Sequence, residues 1–191
     1  MGGPPNERLF RRRVLAAAST LIVAVAVAID AASASAGQDP RCQSTQLAVR
    51  IGREGAALGH IGVEVRFVNI SARACTLYGY PGLQMLDGRN RALATRVHRG
   101  VAYTVPTTAE RVVILRPRAS AAFDAGWDDA TGYGLKKCPT STRVLVTPPN
   151  AYRSISVSWR IQPYGGGTIQ HLRCGQITVS PVFGPRSNAT A

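Results

Sequence analysis

The sequence has little with which to do chemistry. It holds three histidines, His60, His98 and His171, spread along 191 residues, and two methionines, Met1 and Met85. Copper carriage by an exported β-domain draws on clustered His and Met ligands, and this supply argues against it. No H-E-x-x-H, G-x-S-x-G or S-x-x-K pattern occurs, so the local signatures of metallopeptidases and serine hydrolases are missing. Asp128 and Asp129 are adjacent, but neighbours on an extended segment point to opposite faces and do not make the facing pair of a glycosidase. The expectation is a protein that is not an enzyme, with no cofactor and no metal; a site assembled from distant residues is the lesser alternative.

Acidic residues and lysine are also scarce. Ten carboxylates face 23 basic side chains, and only Lys136 and Lys137 of the latter are lysine. Arginine beside abundant Ala, Gly and Val has the look of a GC-rich genome's codon bias. Arg50, Arg66, Arg89, Arg111, Arg143 and Arg160 are scattered, with no basic block interleaved with aromatics and no recognition-helix pattern. Nucleic acid is therefore not an expected partner.

No apolar run reaches the roughly 20 residues a bilayer-spanning helix needs. The longest, Val14–Ile29, has 16 and follows the basic Arg8, Arg11, Arg12 and Arg13. Asp30 ends it, and DAASASAG supplies two A-x-A sites, Ala32–Ala34 and Ala34–Ala36. This is the anatomy of a signal peptide over residues 1–36, cut after Ala36 with Ala34 second. An uncleaved anchor is the rival, and only then does the membrane enter, through that segment. The first cysteine follows Asp39-Pro40-Arg41 rather than a lipobox. The arginine run suits the general or the twin-arginine route. Removing residues 1–36 leaves 19 basic against 8 acidic side chains, a formal +11. Such a field favours anionic wall polymers or lipid headgroups.

No cysteine lies in the signal segment. Cys42, Cys75, Cys138 and Cys174 all follow it, an even number at gaps above 30 residues. Zinc sites need close pairs, so two disulfides are the expectation in an oxidising compartment. Four cysteines allow three connectivities. Folding the Leu47–Ile51 and Ile61–Phe67 segments back about residue 58 sets Cys42 opposite Cys75, and the same exercise across Pro148-Pro149-Asn150 sets Cys138 near Cys174. Each bridge would contribute about 3–4 kcal/mol by constraining the unfolded chain.

Sustained helical periodicity is missing beyond the signal, and period-two alternation takes its place. Ile155, Val157, Trp159 and Ile161 share a face, as do Ala121, Phe123, Ala125 and Trp127, and Ile177 with Val179. Val112–Leu115 and Val144–Val146 read as central strands. Turns at Gly79–Gly82, Asp87-Gly88, Arg116-Pro117, Pro148–Asn150 and Gly165–Gly167 separate them. The pattern predicts seven to nine strands in one antiparallel, immunoglobulin-like β-sandwich over residues 42–184, with a linker at 37–41 and a disordered tail at 185–191. A barrel is the alternative. The Gly79–Gly82 loop presents Tyr78 and Tyr80, able either to contact a ligand or to anchor the hairpin in the core.

Several segments together carry a resemblance. Phe67-Val68-Asn69 leads into Cys75-Thr76-Leu77-Tyr78-Gly79-Tyr80-Pro81-Gly82; Leu115–Ala121 precedes a strand ending at Trp127; Val146-Thr147-Pro148-Pro149 follows Cys138; and Cys174 is followed by Val179-Ser180-Pro181-Val182. With Cys42 at the start, these resemble the secreted actinobacterial domain of unknown function 4232, over about the whole mature chain. Arg118 departs from the glycine expected after Pro117. The resemblance implies a secreted or cell-envelope location and supplies no catalytic residues. The expected role is a non-catalytic binding or structural module, partnered by an anionic wall polymer or by an envelope protein.

Overall fold

Leu58 and Gly59 both take positive φ, +52° and +80°, and turn the chain through two residues. That is the backbone twist a tight hairpin needs. It joins β1 (Leu47–Ala57) to β2 (His60–Asn69) in antiparallel register from Ala57↔His60 to Leu47↔Asn69, with a bulge between Ile51 and Glu54. The computed structural model describes residues 1–2, 39–128, 138–161 and 171–186. The expected signal segment, apart from residues 1–2, lies outside them, as do Asp129 and the Gly165–Gly167 loop.

The remaining strands are β3 (Cys75–Leu77), β4 (Gly82–Leu86), β5 (Arg96–Arg99), β6 (Val113–Leu115), β7 (Ser120–Asp128), β8 (Thr140–Ser141), β9 (Arg143–Thr147), β10 (Ile155–Ser158), β11 (Leu172–Arg173) and β12 (Gln176–Val179). The chain is all-β. Twelve strands among the described residues exceed the expected seven to nine, because β3, β6, β8 and β11 are two- or three-residue pieces that pair in two separate two-stranded sheets. One sheet runs β1-β2-β7-β12-β5 and another β10-β9-β4; every ladder is antiparallel except β12 with β5.

Alternation places the core between these two sheets. Val63, Val65, Phe67, Phe123, Ala125, Trp127, Ile177 and Val179 face Leu83, Met85, Val144 and Val146, all buried. Phe67 stacks at a tilt on Phe123 with ring centroids 5.5 Å apart, and Trp127 meets Trp159 edge-on at 6.0 Å. The stripe expected over residues 155–161 is kept in burial, with Ile155 and Val157 against the core and Trp159 and Ile161 inside it.

The disulfides are Cys42–Cys75 and Cys138–Cys174, as the strand geometry predicts. The first closes across the foot of the β1–β2 hairpin. The second is set by the β8–β11 ladder, where Arg173 pairs with Thr140 and Cys174 N–H donates to the Pro139 carbonyl at 3.0 Å.

Three expectations change. Strand β7 is buried on both faces from Ala121 to Trp127, whereas alternation alone predicts one wet face. Its outer face is covered by one strap and by the Arg186 side chain. Thr104 and Val105 lie over the facing pair Gly62↔Gly126, with Thr104 Oγ1 donating to the Ile61 carbonyl at 2.9 Å. After β12 the C-terminal segment keeps to the edge of β7, where Phe183 exchanges two 2.8 Å backbone hydrogen bonds with Ala122, and Arg186 then reaches over the face to pair with the Asp124 and Glu64 carboxylates. Pro185 and Arg186, read from sequence as the start of a disordered tail, are thus part of the domain, while residues 187–191 lie outside the described residues. The third change is Val112–Leu115. It forms no central strand: β6 pairs only with β3 in a two-stranded sheet, and Val112 and Ile114 are exposed.

Candidate functional site

Strand β3 buries Cys75 and Leu77, so Thr76 and the following Tyr78 face outward. Strand β6 pairs Leu115 with Cys75, Ile114 with Thr76 and Val113 with Leu77. The next step in that register sets Val112 opposite Tyr78. Arg41 adds a parallel bridge to Thr76, held by Cys42 N–H to the Thr76 carbonyl at 3.0 Å and Thr76 N–H to the Pro40 carbonyl at 2.9 Å. A short three-stranded patch results.

The patch floors a groove of about 570 Å³ lined by Tyr78, Val112, Ile114, Arg41 and Asp39, with Pro149 and Asn150 as one wall. Asn150 takes φ +57° at the end of the Pro148–Asn150 turn, and its Nδ2 donates to the Tyr78 carbonyl at 3.2 Å. Tyr78 is 48% exposed, Val112 63% and Ile114 58%. An aromatic, two aliphatics and an arginine–aspartate pair of charges therefore share one open surface. A volume of this size falls in the range of small-ligand sites, about 300–1,000 Å³.

The two loop tyrosines part company. Gly79, at φ +92°, reverses the chain between them, and its carbonyl accepts from Val182 N–H at 2.9 Å. Tyr78 enters the groove, while Tyr80 packs against the core with the Arg99 guanidinium 5.8 Å above its ring. Arg41, Val112, Ile114 and Asn150 were not singled out from sequence. The available signal was the period-two exposure of Val112 and Ile114, which a short apolar run hides.

The histidines, far apart in sequence, are partly gathered by the sheet. His60 and His98 line a pocket of about 210 Å³ beside the Thr104 strap, with Tyr103, Asp128 and Gln176. His60 Nδ1 lies 2.6 Å from Asp128 Oδ1, its cross-strand partner, and its ring stacks on Tyr103 at 4.7 Å. His98 Nε2 lies 2.9 Å from Gln176 Oε1. His171 is elsewhere, near the Trp159 carbonyl. A carboxylate on Nδ1 fixes a histidine's tautomer. Among the described residues, no hydroxyl or thiol is bonded to the other ring nitrogen of His60, and no three His, Cys, Asp or Glu side chains converge as a metal site.

Beyond the strap, Glu64 and Asp124 face each other across β2 and β7. Burial pushes the Asp124 carboxyl above the ordinary carboxylate range, against the opposing hydrogen bond and charge of Arg186.

The model of the family described as a domain of unknown function (DUF4232) matches residues 42–182, from the first cysteine to the Val182 that holds Gly79. Neither a curated protein nor a solved structure matches the chain.

Proposed function

The chain belongs to the DUF4232 family, and from that premise we propose that its domain is an exported, non-catalytic envelope module that takes an anionic wall polymer in the Tyr78 groove. The observation that carries this reading is the half-exposed Tyr78 beside Arg41 in a groove of about 570 Å³. A tyrosine ring offers an apolar face to stack on a sugar and a hydroxyl at its rim. A guanidinium can hold a carboxylate or phosphate by two parallel hydrogen bonds. The formal +11 of the chain after residue 36 brings such a polymer in by long-range attraction. Both disulfides are compatible with an extracytoplasmic location. All four cysteines are bridged, which supports the non-catalytic part of the reading.

Co-sedimentation with purified cell wall over a salt series tests it. Attraction by net charge weakens as the screening length shrinks from about 30 Å at 0.01 M to about 8 Å at 0.15 M salt. A Tyr78→Ala variant is expected to lose about five-fold in affinity, the worth of one aromatic contact of about 1 kcal/mol. Equal binding by Tyr78→Ala and the native protein at every salt would sink the groove. A protein-partner module is the second reading, favoured by exposed Ile114 on β6 and Val112 just before it. Capture of an envelope protein that depends on these two residues, without wall binding, would establish it.

A further inference from the structure

We infer that the end of the sandwich carrying Arg73, Arg116 and Arg118 is a contact surface for the anionic headgroups of a membrane leaflet. The three arginines are gathered by one buried side chain. Asn69 ends β2 fully buried, and its Nδ2 donates to the carbonyls of Arg73 at 2.8 Å and Leu115 at 2.9 Å. Its Oδ1 accepts from the Ser71 N–H at 2.9 Å and the Ser71 hydroxyl at 2.7 Å. Its backbone carbonyl accepts from Arg118 N–H, and its N–H donates to the Ala119 carbonyl, both at 2.9 Å. Two loops far apart in sequence are thus tied to a single residue, and the three arginines leave the backbone at or next to those ties.

All three are exposed, and none is in an ion pair among the described residues. Arg66, Arg91 and Arg186, by contrast, are paired with Glu64, Asp87 and Asp124. Arg118 takes φ +67° after Pro117 in a turn closed by Ala119 N–H to the Arg116 carbonyl at 2.9 Å. Glycine fits this position without strain; here the turn keeps the glycine-like geometry and displays a charge instead.

On the uncleaved-anchor reading of residues 1–36, the point at which the chain enters the domain favours a membrane over a soluble polymer. Arg41 pairs in parallel with Thr76, and Cys75 pairs with Leu115. Asp39, Ala74 and Arg116 therefore lie in one row across three strands. Asp39 brings a carboxylate to that row, and the arginines outnumber it. In the sequence, the apolar run Val14–Ile29 ends ten residues before Asp39, a span of at most about 35 Å when extended. Whenever that run occupies a bilayer, the end it tethers is the arginine end. A polymer in solution has no such tether to favour this end.

The protein as its host exports it is partitioned into vesicles of pure zwitterionic phospholipid and into vesicles with one third anionic phospholipid. The readout is the ratio of the two partition coefficients, which cancels insertion of any retained apolar segment. Each arginine near an anionic leaflet is worth about five-fold, so three give about a hundred-fold. Replacing Arg73→Gln, Arg116→Gln and Arg118→Gly together should remove most of that ratio. Replacing Arg89, Arg96 and Arg160 by glutamine, which removes equal charge from other exposed positions, should leave most of it. Lysine at 73, 116 and 118 should keep it, which separates charge from folding. Equal losses in the two neutralised triples would overturn the inference, as would a native ratio near one with binding to purified wall alone. The inference is independent of the Tyr78 groove: Tyr78→Ala keeps the ratio, and a matching fall there would hand the headgroups to the groove and overturn it.

Discussion

Alanine at Gly126 is the sharpest test of how the outer face of β7 is covered. A Cβ added there would lie 2.5 Å from Thr104 Oγ1 and 2.8 Å from Val105 Cγ2, closer than real contacts allow. Neither neighbour is the loose end of a long side chain. Both sit on a strap closed by reciprocal backbone hydrogen bonds between Ala102 and Val105 at 3.0 and 3.1 Å. The strap must therefore lift. Val105 is fully buried, and exposing a valine side chain costs about 2 kcal/mol. The Thr104–Ile61 hydrogen bond adds about 1 kcal/mol. Against this, replacing glycine in a strand returns about 0.5–1 kcal/mol of backbone entropy. The net loss is about 2 kcal/mol, a fall in Tm of about 6 °C for a chain of this length. Thermal unfolding followed by tryptophan fluorescence measures it, and limited proteolysis near Tyr103 reports the lifted strap. The control is Gly88→Ala, where a Cβ meets nothing within 4 Å. A Gly126→Ala protein melting within a degree of the native one would refute the seating of the strap on the glycine pair.

At the Arg116–Ala119 turn, Arg118→Gly is expected to raise stability by about 1 kcal/mol, because φ +67° crowds the Cβ of any other residue; chemical denaturation reads the shift, and a loss would contradict the turn. Replacing Cys42 and Cys75 together by serine removes a bridge with a sequence separation of 33 and should cost about 4 kcal/mol, whereas an unchanged denaturation midpoint would mean that the bridge does not form. The raised carboxyl of Asp124 means that the folded state holds this proton more tightly than the unfolded state does. Its contribution to stability therefore falls as pH rises from the ordinary carboxylate range through the raised value. Asp124→Asn should flatten that stretch of the stability–pH curve, and an identical slope in both proteins would overturn the assignment.

Local sequence specified a good deal of this molecule. Period-two alternation marked Ile61–Phe67, Ala121–Trp127 and Ile177–Val179 as strands and gave their inward faces, because side chains on a strand must alternate. A glycine-bearing turn about residue 58 fixed the hairpin, and the hairpin brought Cys42 to Cys75. Alternation says which way a side chain points but not what covers it. That the outer face of β7 is dry follows from Thr104 and Val105 lying over it and from Arg186 reaching Asp124 and Glu64, contacts made by segments whose own patterns are irregular. That Val112 and Ile114 are exposed follows from β6 having only the three residues of β3 to pair with. The His60–Asp128 pair, the Asn69 knot beneath the arginine end and the Tyr78 groove each join residues far apart in sequence: His60 with Asp128 across 68 positions, Asn69 with Leu115 across 46 and Tyr78 with Asn150 across 72. Such groupings depend on strand register and sheet order, which long-range closure sets and no window of neighbouring residues encodes.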